Sequence, residues 1–183
     1  MRYDAVVIGG GRSGCAEALR RASDGQKVCL VAAGLTLHSL EPELKGKPYA
    51  ELHALTKAGI AVLRGDTVEV VRWEATASDQ VESVKTANGI TLEAADFVLA
   101  TGRFFSRGLV ADMEGVREPL FGADVDFPAD RSKWFDPDFF APQPFESFGV
   151  KTDKAGRILK GGKPVENVYA VGKILGGKHN AGR

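Results

Sequence analysis

The chain has 183 residues, 44% of them hydrophobic, enough to bury one sheet-and-helix core, and the expectation is a single domain over residues 1–183. Lysine plus arginine balance aspartate plus glutamate at 24 each, so no global field draws the chain to nucleic acid or to an acidic membrane. No apolar run approaches a membrane span, the first residues do not read as a leader, and two cysteines make neither a disulfide framework nor a zinc site, so a cytoplasmic setting is expected.

Residues Tyr3 to Ile8 form an apolar run typical of a buried parallel strand, and Gly9-x-Gly11-x-x-Gly14 follows directly. Each glycine has a mechanical job in that context. Gly9 permits the tight strand-to-helix turn, Gly11 lets backbone approach a pyrophosphate, and Gly14 lets the helix pack close to the strand. The loop Gly9, Gly10, Gly11, Arg12, Ser13 and Gly14 is therefore the first candidate dinucleotide site, against the plainer reading of a turn that binds nothing. Good helix formers follow from Cys15 to Ala22, with Gly25 placed to end the helix. Cys15 falls in the first helical turn, where a dipole can acidify a thiol, although a small packed residue is the simpler reading.

Lys27 to Ala32 reads as the second strand, with Cys29 in the core. At its end a dinucleotide fold normally carries Asp or Glu for the ribose hydroxyls. Here stand Ala32, Ala33 and Gly34, with no carboxylate before Glu41. That argues against a nicotinamide dehydrogenase and suits a flavin site that uses backbone and hydroxyls, with Thr36 and Ser39 as candidates. Leu35 to Lys47 reads as a connection, Pro48 to Ala58 as a helix closed by Gly59, and Ile60 to Leu63 as a short strand. His53 falls inside that helix as a surface residue.

An antiparallel β-meander is expected over about 66–93, from Thr67–Trp73, Gln80–Thr86 and the Asn88-Gly89 turn into Ile90-Thr91-Leu92. A buried strand from Asp96 then ends in Ala100-Thr101-Gly102, small residues that let a ligand come close at a sheet edge. The fold class is α/β: a Rossmann-like FAD/NAD(P)-binding fold with a parallel sheet and an inserted antiparallel β-meander.

The order of glycine loop, βαβ start, meander, Ala100-Thr101-Gly102 and late Tyr169-Ala170-Val171-Gly172 resembles the two-dinucleotide-fold flavoproteins. The segments Ala100 to Ala111, Gly115 to Gly122, Asp138 to Phe145, Phe148 to Asp153 and Glu166 to Gly172 sharpen this. They are similar to the B subunit of anaerobic glycerol-3-phosphate dehydrogenase, and residues 1–40, with Leu37-His38-Ser39, resemble its flavin-binding start. The resemblance implies an oxidoreductase flavoprotein carrying FAD, with FMN as the alternative that would explain the missing ribose carboxylate. It implies electron transfer between a catalytic dehydrogenase subunit and an iron–sulfur subunit, with membrane association only through such partners. It further implies that Ala32, Ala33 and Val68 flank the nucleoside, and that Ala100, Thr101, Gly102, Gly172 and Lys173 line the flavin. Family members are longer, with a substrate-facing cap after the second strand and a helix beyond Gly176-Gly177. Lys173 stands where the wider class carries an Asp. A non-catalytic nucleotide-binding or interaction subunit is the alternative function.

Two further groups invite chemistry. Trp134, Phe135, Phe139, Phe140, Phe145 and Phe148, with Phe127 upstream, read either as packing for an irregular loop or as a surface for a partner or the flavin edge. Arg103, Arg107 and Arg117 read as a phosphate cluster or as a solvated face. His38 is a lone loop histidine. No catalytic base is nominated.

Overall fold

A computed structural model describes residues 1–34, 48–76 and 79–177. Its elements in order are β1 (Arg2–Ile8), α1 (Arg12–Ser23), β2 (Val28–Ala32), α2 (Pro48–Lys57), β3 (Ala61–Arg64), β4 (Val68–Trp73), β5 (Val81–Thr86) and β6 (Thr91–Leu99). Short strands β7 (Val110–Ala111), β8 (Val116–Arg117), β9 (Val125–Asp126) and β10 (Gly149–Val150) precede the closing hairpin of β11 (Arg157–Lys160) and β12 (Lys163–Ala170).

The main sheet runs β11-β12-β6-β1-β2-β3. From β12 to β3 all neighbours are parallel, and β11 adds an antiparallel edge. Alternation along the strands sorts the core into two layers. Ala5, Val7, Val28, Leu30, Ala32 and Val98 face Cys15 and Ala18 of α1 and Leu55 of α2. Val6, Ile8, Cys29, Val31, Phe97 and Leu99 face Val81, Val84 and Leu92 of the meander. Helices cover one side and the meander the other, so the parallel strands are buried on both faces. Burial of this kind is worth roughly 1.5–3 kcal/mol for each large apolar side chain.

The meander expected from Asn88-Gly89 is present, with β4 antiparallel to β5 and β5 antiparallel to β6. One boundary differs from expectation. Ile90–Leu92 and the strand from Asp96 are a single strand, β6, whose Glu93 pairs with Ser83 on one side and Arg2 on the other. Hydrogen bonding to β1 carries the ladder through Glu93 and Ala94, polar and small residues that read as a gap in the sequence. The β11–β12 hairpin, turned by Gly161 and Gly162 at φ 58° and 76°, is a unit that the sequence pattern does not announce.

Helix α1 begins at Arg12, earlier than the helix formers alone suggest, and Gly11 caps it without a side-chain hydrogen bond. The helix is braced to the sheet by Arg21, whose side chain is 8% exposed. Arg21 Nε donates to Glu17 (2.8 Å), Nη1 donates to Asp96 of β6 (2.8 Å), and the guanidinium lies 5.6 Å from the Tyr169 ring centroid. Removing the cation leaves Glu17 and Asp96 without it at a mostly dry site. Arg21→Ala is therefore expected to lower the unfolding free energy by about 3–5 kcal/mol in urea titration. Arg20→Ala, which removes exposed pairs with Glu17 and Asp24, is expected to cost at most about 1 kcal/mol.

Candidate flavin site

The carboxyl ends of the parallel strands are held level by hydrogen bonds that continue past the strands themselves. Gly9 N–H donates to Val31 (2.8 Å), Ala100 N–H to Ile8 (2.8 Å) and Val171 N–H to Leu99 (3.0 Å). Asp66 N–H donates to Ala32 (3.2 Å), adding the end of β3 to the same edge. β1 sits between β2 and β6, so the sheet reverses its direction of winding at the β1/β6 boundary. That crevice is where open α/β sheets place their ligands.

The glycine loop is packed there without spare room except on one side. A Cβ on Gly9, whose φ is 121°, would collide with the Ala100 carbonyl. One on Gly14 would collide with the Gly9 carbonyl, and one on Gly172 with the Ser13 side chain. Gly11 is the exception, because nothing among the described residues lies within 4 Å of where its Cβ would stand. The open side of the loop thus faces away from the protein, at the N-terminus of a twelve-residue helix with no acidic residue in its first turn. An anion can approach those N–H groups closely.

The structure brings Gly9, Gly10, Gly11, Arg12, Ser13 and Gly14 together with Ala100, Thr101 and Gly172. Lys173 and Gly102 adjoin them, Lys173 exposed and Gly102 half-buried. Ala32 is buried at the end of β2, Ala33 is exposed just beyond it, and Val68 opens β4 two residues after Asp66. Thr36, His38 and Ser39 lie outside the described residues. His53 is exposed on α2. Cys29 is fully buried, and burial, opposed by the Tyr3 hydroxyl, pushes its thiol up to about 11, so it is no thiolate. Cys15 is buried and its Sγ donates to the Gly10 carbonyl (3.6 Å), in keeping with a packed residue.

Two of the three arginines are engaged within the protein. Arg103 donates to the carbonyls of Lys173 (2.6 Å), Leu175 (3.3 Å) and Glu146, clamping the turn after β6 to the turn after β12. Arg117 pairs with Asp112 (3.0 Å). Arg107 takes a left-handed conformation at φ 59° that closes a short turn. The aromatic stretch divides. Phe148 is 2% exposed and packs against Phe104, Phe127 and Trp134, while Phe135, Phe139 and Phe140 are exposed.

Two buried polar atoms lack a hydrogen-bond partner among the described residues: the Thr101 hydroxyl and Asp66 Oδ2. Thr101 belongs to the predicted site. Asp66 is not legible as a site residue in the sequence, since it takes the pairing of β3 with β2 and the hydrogen bonds from Gly65 and Asp66 N–H to show that the β3–β4 connection returns to the end of β2. Its other oxygen, Oδ1, accepts from the N–H groups of Thr67 (2.9 Å) and Asn88 (3.2 Å). Burial works to raise the Asp66 pKa, but the Thr86 hydroxyl and those N–H groups outweigh it and hold the carboxyl below its usual range.

Residues 47–183 match the FAD binding domain family. The chain belongs to that family. The match supports FAD as the bound cofactor. It is 39% identical over 131 residues to the B subunit of anaerobic glycerol-3-phosphate dehydrogenase from Yersinia pseudotuberculosis, covering 70% of this chain and 29% of that one. The corresponding protein of Haemophilus ducreyi is 36% identical over 167 residues, covering 86% of this chain and 38% of its own. The chain thus spans about a third of the length of the curated relatives it matches. Thioredoxin reductase from Streptococcus pyogenes superposes with a TM-score of 0.44 at 20% identity, over 55% of this chain and 35% of that one.

The residues at the edge fit FAD. The cofactor's pyrophosphate needs unhindered N–H groups, which the open side of Gly11 supplies, and its polar groups can satisfy the orphaned Thr101 hydroxyl. Two substitutions separate space for the fold from space for the ligand. Gly11→Ala adds a methyl to open space at φ −76° and is expected to cost at most about 1 kcal/mol in unfolding, while weakening FAD at least about tenfold in fluorescence titration. Gly14→Ala is expected to destabilise the unliganded chain by more than about 3 kcal/mol, because its methyl meets backbone that cannot yield.

Proposed function

We propose that this chain holds FAD in extended form along the carboxyl edge of its sheet and acts in electron transfer as a flavin-carrying domain similar to the B subunit of glycerol-3-phosphate dehydrogenase. The observation that carries the reading is the convergence at one edge of the open glycine loop, the turn after β6 and the turn after β12. In this reading Gly9, Gly11 and Gly14 admit the pyrophosphate to backbone N–H groups, and Arg12 and Ser13 flank it. Ala32, Ala33 and Val68 border the nucleoside. Ala100, Thr101, Gly102, Gly172 and Lys173 line the flavin, with the Thr101 hydroxyl as a hydrogen-bond donor or acceptor. Bound FAD supplies the redox chemistry, and the protein's contribution is to bind, orient and shield it.

The subunit character of the relatives supports a role within an assembly. In that assembly we propose a dehydrogenase subunit as electron source and an iron–sulfur subunit as acceptor. No helix among the described residues is long and apolar enough to cross a membrane, and any membrane contact is assigned to those partners. A second reading, a nucleotide-binding module without turnover of its own, is favoured by the make-up of the edge. The residues assigned above to the pyrophosphate, nucleoside and flavin are glycines, alanines, Val68 and Thr101, with Arg12, Ser13 and Lys173, a set that binds rather than moves protons.

Denaturing the purified chain and identifying the released cofactor chromatographically tests the main reading. FAD in about equimolar amount, or its uptake by colourless protein, is the expected result, and failure to take up any flavin would overturn it. Turnover of glycerol 3-phosphate with an artificial acceptor would eliminate the second reading.

A further inference from the structure

We propose that Asp66 supplies the carboxylate for the adenosine ribose of the bound dinucleotide, from the connection between β3 and β4 instead of from the end of β2. The proposal rests on the flavin-site reading above. In a dinucleotide fold the ribose hydroxyls lie beside the end of the second strand and donate to an acidic side chain there. In this chain that end is Ala32, which has no polar atom beyond its backbone. Asp66 is the carboxylate the fold brings to the same place, because its own N–H donates to the Ala32 carbonyl. Gly65 N–H reaches Gly34 (3.4 Å) in the same way, so the connection follows β2 to its tip.

The side chain is built for more than closing a turn. Asp66 is 3% exposed, and Oδ1 alone accepts from Thr67 and Asn88, which satisfies the turn between the start of β4 and the β5–β6 hairpin. Oδ2 is buried and makes no hydrogen bond of normal geometry among the described residues, while the Thr86 hydroxyl and the Asn88 side chain lie near enough to the carboxylate to help hold its pKa down as hydrogen-bond donors. An unpartnered oxygen on a buried carboxylate is costly unless a donor arrives with a ligand. A ribose diol brings two O–H donors. The net effect of its surroundings keeps the group ionised at neutral pH, the state that only accepts.

The test titrates the 183-residue chain calorimetrically with ADP and with 2′,3′-dideoxy-ADP, for the wild type and for Asp66→Asn, alongside thermal melting without ligand. The amide keeps an oxygen for Thr67 and Asn88 but loses the second acceptor. Wild-type protein is expected to bind ADP at least about tenfold more tightly than the dideoxy analogue, and Asp66→Asn to shrink that ratio to within about threefold. The variant's unliganded melting temperature reports the turn separately. If Asp66→Asn does not fold, Asp66→Ser, which retains one acceptor for the same turn, replaces it in the comparison. Equal wild-type affinity for the two nucleotides overturns the proposal, as does a variant that keeps the wild-type ratio. Folded wild-type protein that binds neither ADP nor FAD overturns the flavin-site reading and this proposal with it. ADP binding without discrimination overturns this proposal alone.

Discussion

The structure depends on how closely backbone meets backbone between the start of α1 and the ends of β1 and β6. At Gly9 the space for a side chain is taken by the Ala100 carbonyl, and at Gly14 by the Gly9 carbonyl. Those two contacts fix the angle at which α1 leaves the sheet and press it onto Ala5 and Val7. They also set the turn after β6 against the loop that starts the helix. Gly172 repeats the arrangement against Ser13, which places the turn after β12 on the same helix end. Three connections that are distant in sequence therefore meet around one helix N-terminus, with the Gly11 side left open among the described residues.

Strand β6 links this edge to the other half of the fold. Its first residues belong to the meander, and its last residues belong to the parallel sheet between β1 and β12. A single strand shared by an antiparallel and a parallel ladder couples their registers, since a slip of one residue would bring Phe97 and Leu99 to the face of α1 and Val98 to the opposite layer. The meander must then lie over the face of the sheet opposite α1. In doing so it delivers the turn at Asn88 to Asp66, and with it a donor for Oδ1. The polar environment at the end of β2 thus arises from residues on β3, β4 and the hairpin, none of which neighbours Ala32 in sequence.

That dependence explains what can be read from the residues alone. The glycine loop, both halves of the βαβ start, the Asn88-Gly89 hairpin and the Ala100-Thr101-Gly102 strand end are local signals, and each needs only a few consecutive residues to be recognised. The order of these signals then suffices for the α/β class. Tertiary placement is not local. The absence of an acidic residue at Ala32 is visible in the sequence, but its neighbour Asp66 is visible only once β3 lies beside β2. In the same way, Ile90–Leu92 and Asp96–Leu99 look separate because Glu93, Ala94 and Ala95 carry no strand pattern, whereas pairing with β1 and β5 makes them continuous. The aromatic stretch offers two readings because seven rings in a short span say nothing about which of them Phe148 gathers.

Arg103 shows how a residue type can mislead when its partners are unknown. A guanidinium beside a predicted phosphate loop suggests an anion site, yet its donors are engaged by the carbonyls of Glu146, Lys173 and Leu175. Carbonyls at the end of a turn are acceptors without partners of their own, and a planar fork of donors satisfies several at once. The clamp ties the turn after β6 to the turn after β12 and to the short helical turn before Phe148, the residue on which Phe104, Phe127 and Trp134 pack. A change in the turn after β6 is felt in the aromatic cluster both through this clamp and through Phe104, which belongs to that turn and packs against Phe145 and Phe148. The positive charge that could have met a phosphate instead fixes the geometry of the turns after β6 and β12, which leaves the helix N-terminus and its backbone as the candidate anion site.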